Sequence, residues 1–157
     1  MKRPGPENNG HRNEVSPGGG IVYDAALKLK PEDFGRPDVN LYSVPYMQVL
    51  VDALKETGHE HELSKYQVMT NTVAFGASMA LIDYDFNLVA DAIKEGFTGR
   101  KAALGDLNVK AARHGYDYVQ KNFHDGFAYK LHTVPPKEKM MVIRGVAAVG
   151  MAKFRAG

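Results

Sequence analysis

A partial α/β layer domain, with about two strands, four helices and a disordered N-terminus, is the fold class this sequence predicts. Three observations lead there. Two short β-favouring runs come early in the chain, and helical spacing of apolar residues takes over after them. The stretch "NTVAFGASMALIDYD", Asn71 to Asp85, then carries no charged side chain from Val73 to Ile82 and is apolar on nearly every face, the mark of a helix packed on several sides. Two strands fall short of the roughly four to six of an ordinary sheet, so the expectation is half of a layer domain.

Each element has its own signal. Residues 1–17 are rich in Pro, Gly and Asn and read as loop or disorder. The run Gly18 to Gly20 precedes a strand and lacks the Lys and Ser/Thr of a phosphate loop, so it reads as a turn into that strand. Strands are expected at Ile21 to Tyr23 and Val39 to Val44, the second ended by Pro45. "YMQVLVDALKETG" follows as a helix with Met47, Leu50, Val51 and Leu54 on one face and Gly58 as its stop. "HEHELSKYQ" reads as a polar loop.

The uncharged helix comes next, with Asn71 or Thr70 as its N-cap, and its Gly76 and Ala80, four apart, would let another backbone approach closely. "FNLVADAIKEGF" is capped by Asp85 and has Leu88, Val89, Ala92 and Ile93 on one face. "LGDLNVKAARHGYDYVQKNF" repeats Leu104, Leu107, Ala111, Tyr118 and Val119 at helical spacing, although Gly115 weakens it near the middle. Residues 125–139 read as an exposed linker. In 140–157 an apolar run turns rich in small residues, and Val146, Val149, Met151 and Phe154 expect a partner surface, as in an element cut from something larger.

Composition narrows the function classes. With 44% hydrophobic and 24% charged residues the chain is that of a globular protein. Five basic side chains against Glu138 put +4 on 137–157 and leave −2 for the remainder of a chain that is +2 in all, too little for a nucleic-acid footprint. No run approaches the roughly 20 apolar residues of a membrane span, and no signal peptide is visible, so a cytoplasmic location is expected. Without cysteine the chain offers no thiolate zinc site and no iron–sulfur cluster.

Few motifs carry chemistry. His59 and His61 have metal-like proximity, but a catalytic zinc needs a third protein ligand and the remaining histidines are scattered, so a solvated loop is preferred. Asp83 and Asp85 could pose as a carboxylate pair, yet one of them as a helix cap is the better reading. No Ser/His/Asp order or nucleophile elbow is present. Asn71 and Thr72 are the most interesting polar pair: at the start of a buried helix, free amides and the dipole favour an anion or polar ligand, with simple capping as the plainer alternative. Asn108 on the long helix has the same two readings, with exposure or structural hydrogen bonding preferred.

Taken in order, "SPGGGIVYD", "VNLYSVPYMQVLVDAL", "NTVAFGASMALIDYDFNLVADAIKEGF", "NVKAARHGYDYV" and "RGVAAVGMAKFRAG" resemble the 2-oxoacid:ferredoxin (acceptor) oxidoreductases. The likeness is to the γ-type catalytic domain as it is fused ahead of the pyrimidine-binding domain in the α subunit. It implies a Rossmann-like half-domain over 18–124, a linker over 125–139 and the start of the pyrimidine-binding domain over 140–157, with the family's N-terminal glycine-rich loop lying before this chain begins. The last segment departs from the family pattern, with Val146 and Ala147 where Asn and Glu are expected, and no role passes to them.

The resemblance also implies oxidative decarboxylation of a 2-oxoacid, with the acyl group passed to coenzyme A and electrons to ferredoxin. The fusion order favours 2-oxoglutarate over pyruvate. Thiamine diphosphate and the iron–sulfur cluster belong on partner domains or the β subunit, so this chain alone is expected to be inactive. Asn71, Thr72 and Asn108 are the candidates for proximity to substrate or coenzyme A. Two rivals stand beside this reading: a non-catalytic interaction or assembly domain, and a metal-dependent enzyme built on His59 and His61.

Overall fold

The computed structural model describes residues 13–123, 126–132, 134–135, 137–138, 143 and 145–156. The expectation of disorder for 1–17 therefore lies largely outside the described residues. Strand β1 (Gly20–Asp24) pairs in parallel with β2 (Asn40–Val44), Gly20 opposite Asn40 and Asp24 opposite Val44. The glycine run is the expected turn: Gly18 sits at φ 76, where a side chain is strained, and its N–H donates to Asp38 O at 2.7 Å. The crossover between the strands carries a short helix the sequence did not announce, α1 (Pro31–Phe34), with Pro31 at its first position.

The four expected helices are present: α2 (Tyr46–Glu56), α4 (Thr70–Leu81), α5 (Phe86–Glu95) and α6 (Ala102–Phe123). With the two-stranded parallel sheet they make a mostly helical α/β layer, consistent with part of a Rossmann-like domain. Helix α2 ends on Gly58 at φ 72, with His59 N–H donating to Leu54 O and Gly58 N–H to Lys55 O, which satisfies two of its last carbonyls. Asp85 caps α5 by accepting from Asn87 N–H at 2.9 Å. The supposed polar loop after α2 instead holds the short helix α3 (Leu63–Tyr66) between two single 3₁₀ turns, because Leu63, Tyr66 and Met69 reach the core.

Two predicted faces are rotated. On α2 the buried residues are Val49, Leu50, Ala53 and Leu54, whereas Met47 is exposed; on α5 they are Phe86 and Val89, whereas Leu88 is exposed. Both stripes satisfy helical spacing, and the neighbouring element decides which one is covered.

Helix α4 is the central packing element, touching α2, α5, α6 and β1. It runs in the same direction as α6, since Thr72 meets Asn108, Gly76 meets Ala112 and Ala80 meets Gln120 in order. The crossing is closed by two glycines. A Cβ on Gly76 would collide with the Ala112 carbonyl, and one on Gly115 with the Val73 carbonyl. Gly115, which weakened the helix on propensity, is therefore required by packing, and the close approach expected at Gly76 is present.

Residues 126–131, within the linker expected over 125–139, are mostly exposed and make specific contacts with the body. Tyr42 Oη donates to Gly126 O at 2.5 Å and its ring meets Phe123 and Phe127 edge-on at 5.5 and 5.9 Å. Tyr129 Oη donates to Pro17 O at 3.0 Å, and Leu131 N–H to Ile82 O at 3.0 Å. Beyond them α7 (Gly145–Ala156) leaves Val146 at 89% and Phe154 at 96% exposure.

Substituting Ala at Gly76 or Gly115 must push two backbones apart, and each change is expected to cost about 2 to 4 kcal/mol of unfolding free energy, read from urea titrations. An unchanged midpoint in either variant would mean that the crossing is looser than described. A second test concerns Glu56, which joins α2 to α6 by accepting from Lys110 at 3.1 Å and facing His114 Nε2 at 3.1 Å. The Lys110 hydrogen bond first, and the His114 one second, hold its pKa below the ordinary 4.5. A depressed carboxylate contributes stability above its unfolded pKa and loses it as pH falls through the folded value, so the native chain should lose stability more steeply below about pH 4.5 than Glu56→Gln. High salt should shrink the difference.

Candidate functional site

The chain enters α4 by a helical route. A 3₁₀ turn at Gln67–Met69 runs straight into it, so Met69 at φ −70, ψ −5 precedes the helix with no side-chain cap. Neither Asn71 nor Thr70 is the cap that was expected: Thr70 Oγ1 donates back to Gln67 O at 3.0 Å, and Thr70 N–H is already bonded to Gln67 and Val68 carbonyls. An extended residue is what a side-chain cap requires, and the 3₁₀ turn removes it.

The three candidate residues nevertheless come together. Thr72 Oγ1 donates to Asn108 Oδ1 at 2.7 Å, and Asn108 Nδ2 donates to Leu104 O at 2.8 Å, so the amide is held at both ends although Asn108 is only 7% exposed. Asn71 stands beside them on the surface. All three line a hollow of about 510 Å³, and a shallower extension of about 260 Å³ continues past them toward Phe75 and Ile93. Apolar walls come from Met69, Val68, Phe97 and Leu104, and Lys65 and Tyr66 stand at one side.

Sequence reasoning missed Lys65, Tyr66 and Phe97. The signal was available only as Tyr66 and Met69 three apart in a stretch dominated by charge. Electrostatically the rim is compensated. Lys65 Nζ lies 2.6 Å from Glu62, which raises the Lys65 pKa and, together with His59, lowers that of Glu62. Lys65 Nζ also sits 4.8 Å from the centre of the Tyr66 ring.

The Thr72 proton goes to a neutral amide oxygen, and among the described residues no carboxylate or imidazole lines the hollow. The other sequence candidates do not join it. His59 Nδ1 contacts Glu62 at 3.0 Å, the exposed His61 lies 3.6 Å from Glu60, and among the described residues no three His, Cys, Asp or Glu gather as a metal site. Asp83 contacts Gln120 and Lys130, while Asp85 is the cap of α5.

The donor set does not suit the cofactors the resemblance implies. Without cysteine there is no thiolate for an iron–sulfur cluster, and a hollow without a carboxylate has nothing to hold the divalent ion that balances a diphosphate.

The Thr72–Asn108 bond can be measured directly. A double-mutant cycle with Thr72→Val and Asn108→Leu should return a coupling of about 1 kcal/mol in unfolding free energy, and additive effects would show that the bond is not formed in solution.

Among the comparisons with known proteins, a family model described as pyruvate ferredoxin/flavodoxin oxidoreductase matches residues 7–118. No curated protein and no solved structure matches the chain. The match spans β1 to most of α6, takes in Asn71, Thr72 and Asn108, and stops before the pinned segment and α7. Covering well over half of the sequence, it shows that the chain belongs to the pyruvate ferredoxin/flavodoxin oxidoreductase family.

Proposed function

We propose that the chain is part of the α subunit of a 2-oxoacid:ferredoxin oxidoreductase, and that it works in complex with a β subunit in the cytoplasm. Residues 18–124 are the C-terminal half of the γ-type domain, 125–139 the connection, and 140–157 the start of the pyrimidine-binding domain. The observation that carries this reading is the family match over 7–118. In the overall reaction a 2-oxoacid, coenzyme A and two oxidised ferredoxins give acyl-coenzyme A, carbon dioxide, a proton and two reduced ferredoxins.

Thiamine diphosphate, where bound on partner domains, supplies the carbanion stabilisation for decarboxylation, and iron–sulfur clusters there take the electrons. This chain's part is to bind and position. Asn71, Thr72 and Asn108 present neutral hydrogen-bonding groups beside apolar walls, suited to a polar but uncharged portion of coenzyme A or substrate. The substrate favoured is 2-oxoglutarate over pyruvate.

A second reading has one observation in its favour. The nearly bare Val146 and Phe154 on α7 suit a non-catalytic assembly module whose end docks on another protein.

Co-expression with a β subunit of the family separates the two. The leading reading expects a stable complex that reduces ferredoxin with 2-oxoglutarate faster than with pyruvate, only when coenzyme A is present. Asn71→Ala in that complex should raise KM for coenzyme A or 2-oxoacid by about tenfold with little change in kcat. A folded chain that binds neither the β subunit nor coenzyme A would move the assignment to the assembly module.

A further inference from the structure

On the side of α6 away from Asn108 lies a second cavity of about 380 Å³, between α5 and α6. The two helices are antiparallel there. Lys94 contacts Asp106 at 3.8 Å at one end, and the Arg113 guanidinium lies 3.4 Å from the centre of the Phe86 ring at the other. Between these closures Ala90 and Val109 form the floor, and the small side chain of Ala90 is what keeps the helices from filling the gap.

Among the described residues the lining holds Lys94, Lys110 and Arg113 with the carboxylate of Asp106, and Lys110 is already hydrogen-bonded to Glu56 at 3.1 Å. Two of the three cations are loosely engaged: besides the Lys94 contact, Arg113 reaches Asp117 only at 3.7 Å. Exposed pairs of that length contribute little and can be exchanged for a better partner. Arg113 is also the most oriented of the three. Stacking on Phe86 occupies a face of the guanidinium, so its N–H edge is left for an acceptor in the same plane, the geometry that carboxylate and phosphate oxygens satisfy in pairs.

We propose that this groove binds a small organic oxyanion, a carboxylate or phosphate ester carried on a short apolar body. Its charged group meets Arg113, its body lies on Ala90 and Val109, and Lys94 closes the far end, while Lys110 keeps its hydrogen bond to Glu56. The volume suits such a molecule, since ligand cavities begin at roughly 300 Å³. The site is separate from the hollow at Asn71, Thr72 and Asn108, because α6 stands between them, and it does not depend on the function proposed above.

Nuclear magnetic resonance titration of the full chain tests it, with phenyl phosphate and phenylacetate as probes at constant ionic strength and sodium chloride as control. Saturable shifts are expected at the amides of Ala90, Val109 and Lys110, with a dissociation constant on the order of 1 mM or tighter for at least one probe. The tighter of the two identifies the source as phosphate ester or carboxylate. Arg113→Gln should weaken binding about tenfold. Because Arg113 also packs on Phe86, Lys94→Gln at an exposed position provides a second variant, expected to weaken binding about threefold. No saturation with either probe, or the same dissociation constant in the native chain and both folded variants, would overturn the proposal.

Discussion

The parallel crossing of α4 and α6 is the constraint on which the remainder of the structure depends. At Gly76 and Gly115 each helix gives up a side chain so that the other's carbonyl can occupy its place. A contact made backbone to backbone fixes both the separation and the register of two helices, because a shift by one residue replaces glycine with a side chain that does not fit. One turn before the Gly76–Ala112 contact, the same register puts Thr72 opposite Asn108 and closes their hydrogen bond. One to two turns after it, Gln120 Nε2 reaches the Ala80 carbonyl and Asp83 at the end of α4. The candidate site is thus a consequence of the crossing rather than a separate construction.

From that axis the core spreads in two directions. Toward the sheet, Val73, Ala77 and Ala80 of α4 join Tyr42 and Val44 of β2, Leu50 and Leu54 of α2 and Val119 of α6 in one cluster. Toward α5, Ala112 joins Phe86 and Val89 in a smaller one. Helix α4 needs apolar residues on most of its faces because α2, α5, α6 and β1 all pack on it, while Asn71 and Phe75 stay at the surface. The pinned segment after α6 extends the first cluster by laying Phe127 edge-on against Tyr42, and its Lys130 reaches both the Leu81 carbonyl and Asp83 at the end of α4.

Much of this was legible in the sequence, and the reasons are local. Strand runs ended by Pro45, the Gly58 stop, the Asp85 cap and the uncharged run from Val73 to Ile82 each act over a few residues, and each appears where expected. What escaped depends on neighbours. Met47 and Leu88 satisfy helical spacing yet lie outside, because α6 and α4 cover the adjacent stripes. Gly115 reads as a helix weakness until the Val73 carbonyl is known to lie against it. Asn108 is structurally hydrogen-bonded, the reading preferred for it, whereas the helix start with free amides expected at Asn71 and Thr72 is changed by the preceding turn. The 3₁₀ turn before α4 occupies that start, and tertiary register is what brings the three residues to one hollow.

That difference bears on what the hollow can contribute. A helix N-terminus would present charge-stabilising amides and favour an anion, whereas a threonine hydroxyl bonded to an amide presents neutral groups whose positions are fixed before any ligand arrives. Asn108 is held at both ends, so its remaining capacity is directional, and the apolar walls around it strengthen any hydrogen bond by excluding water. Neutral groups fixed in this way would act on ground state and transition state alike. Under the function proposed above, that influence falls on KM rather than kcat.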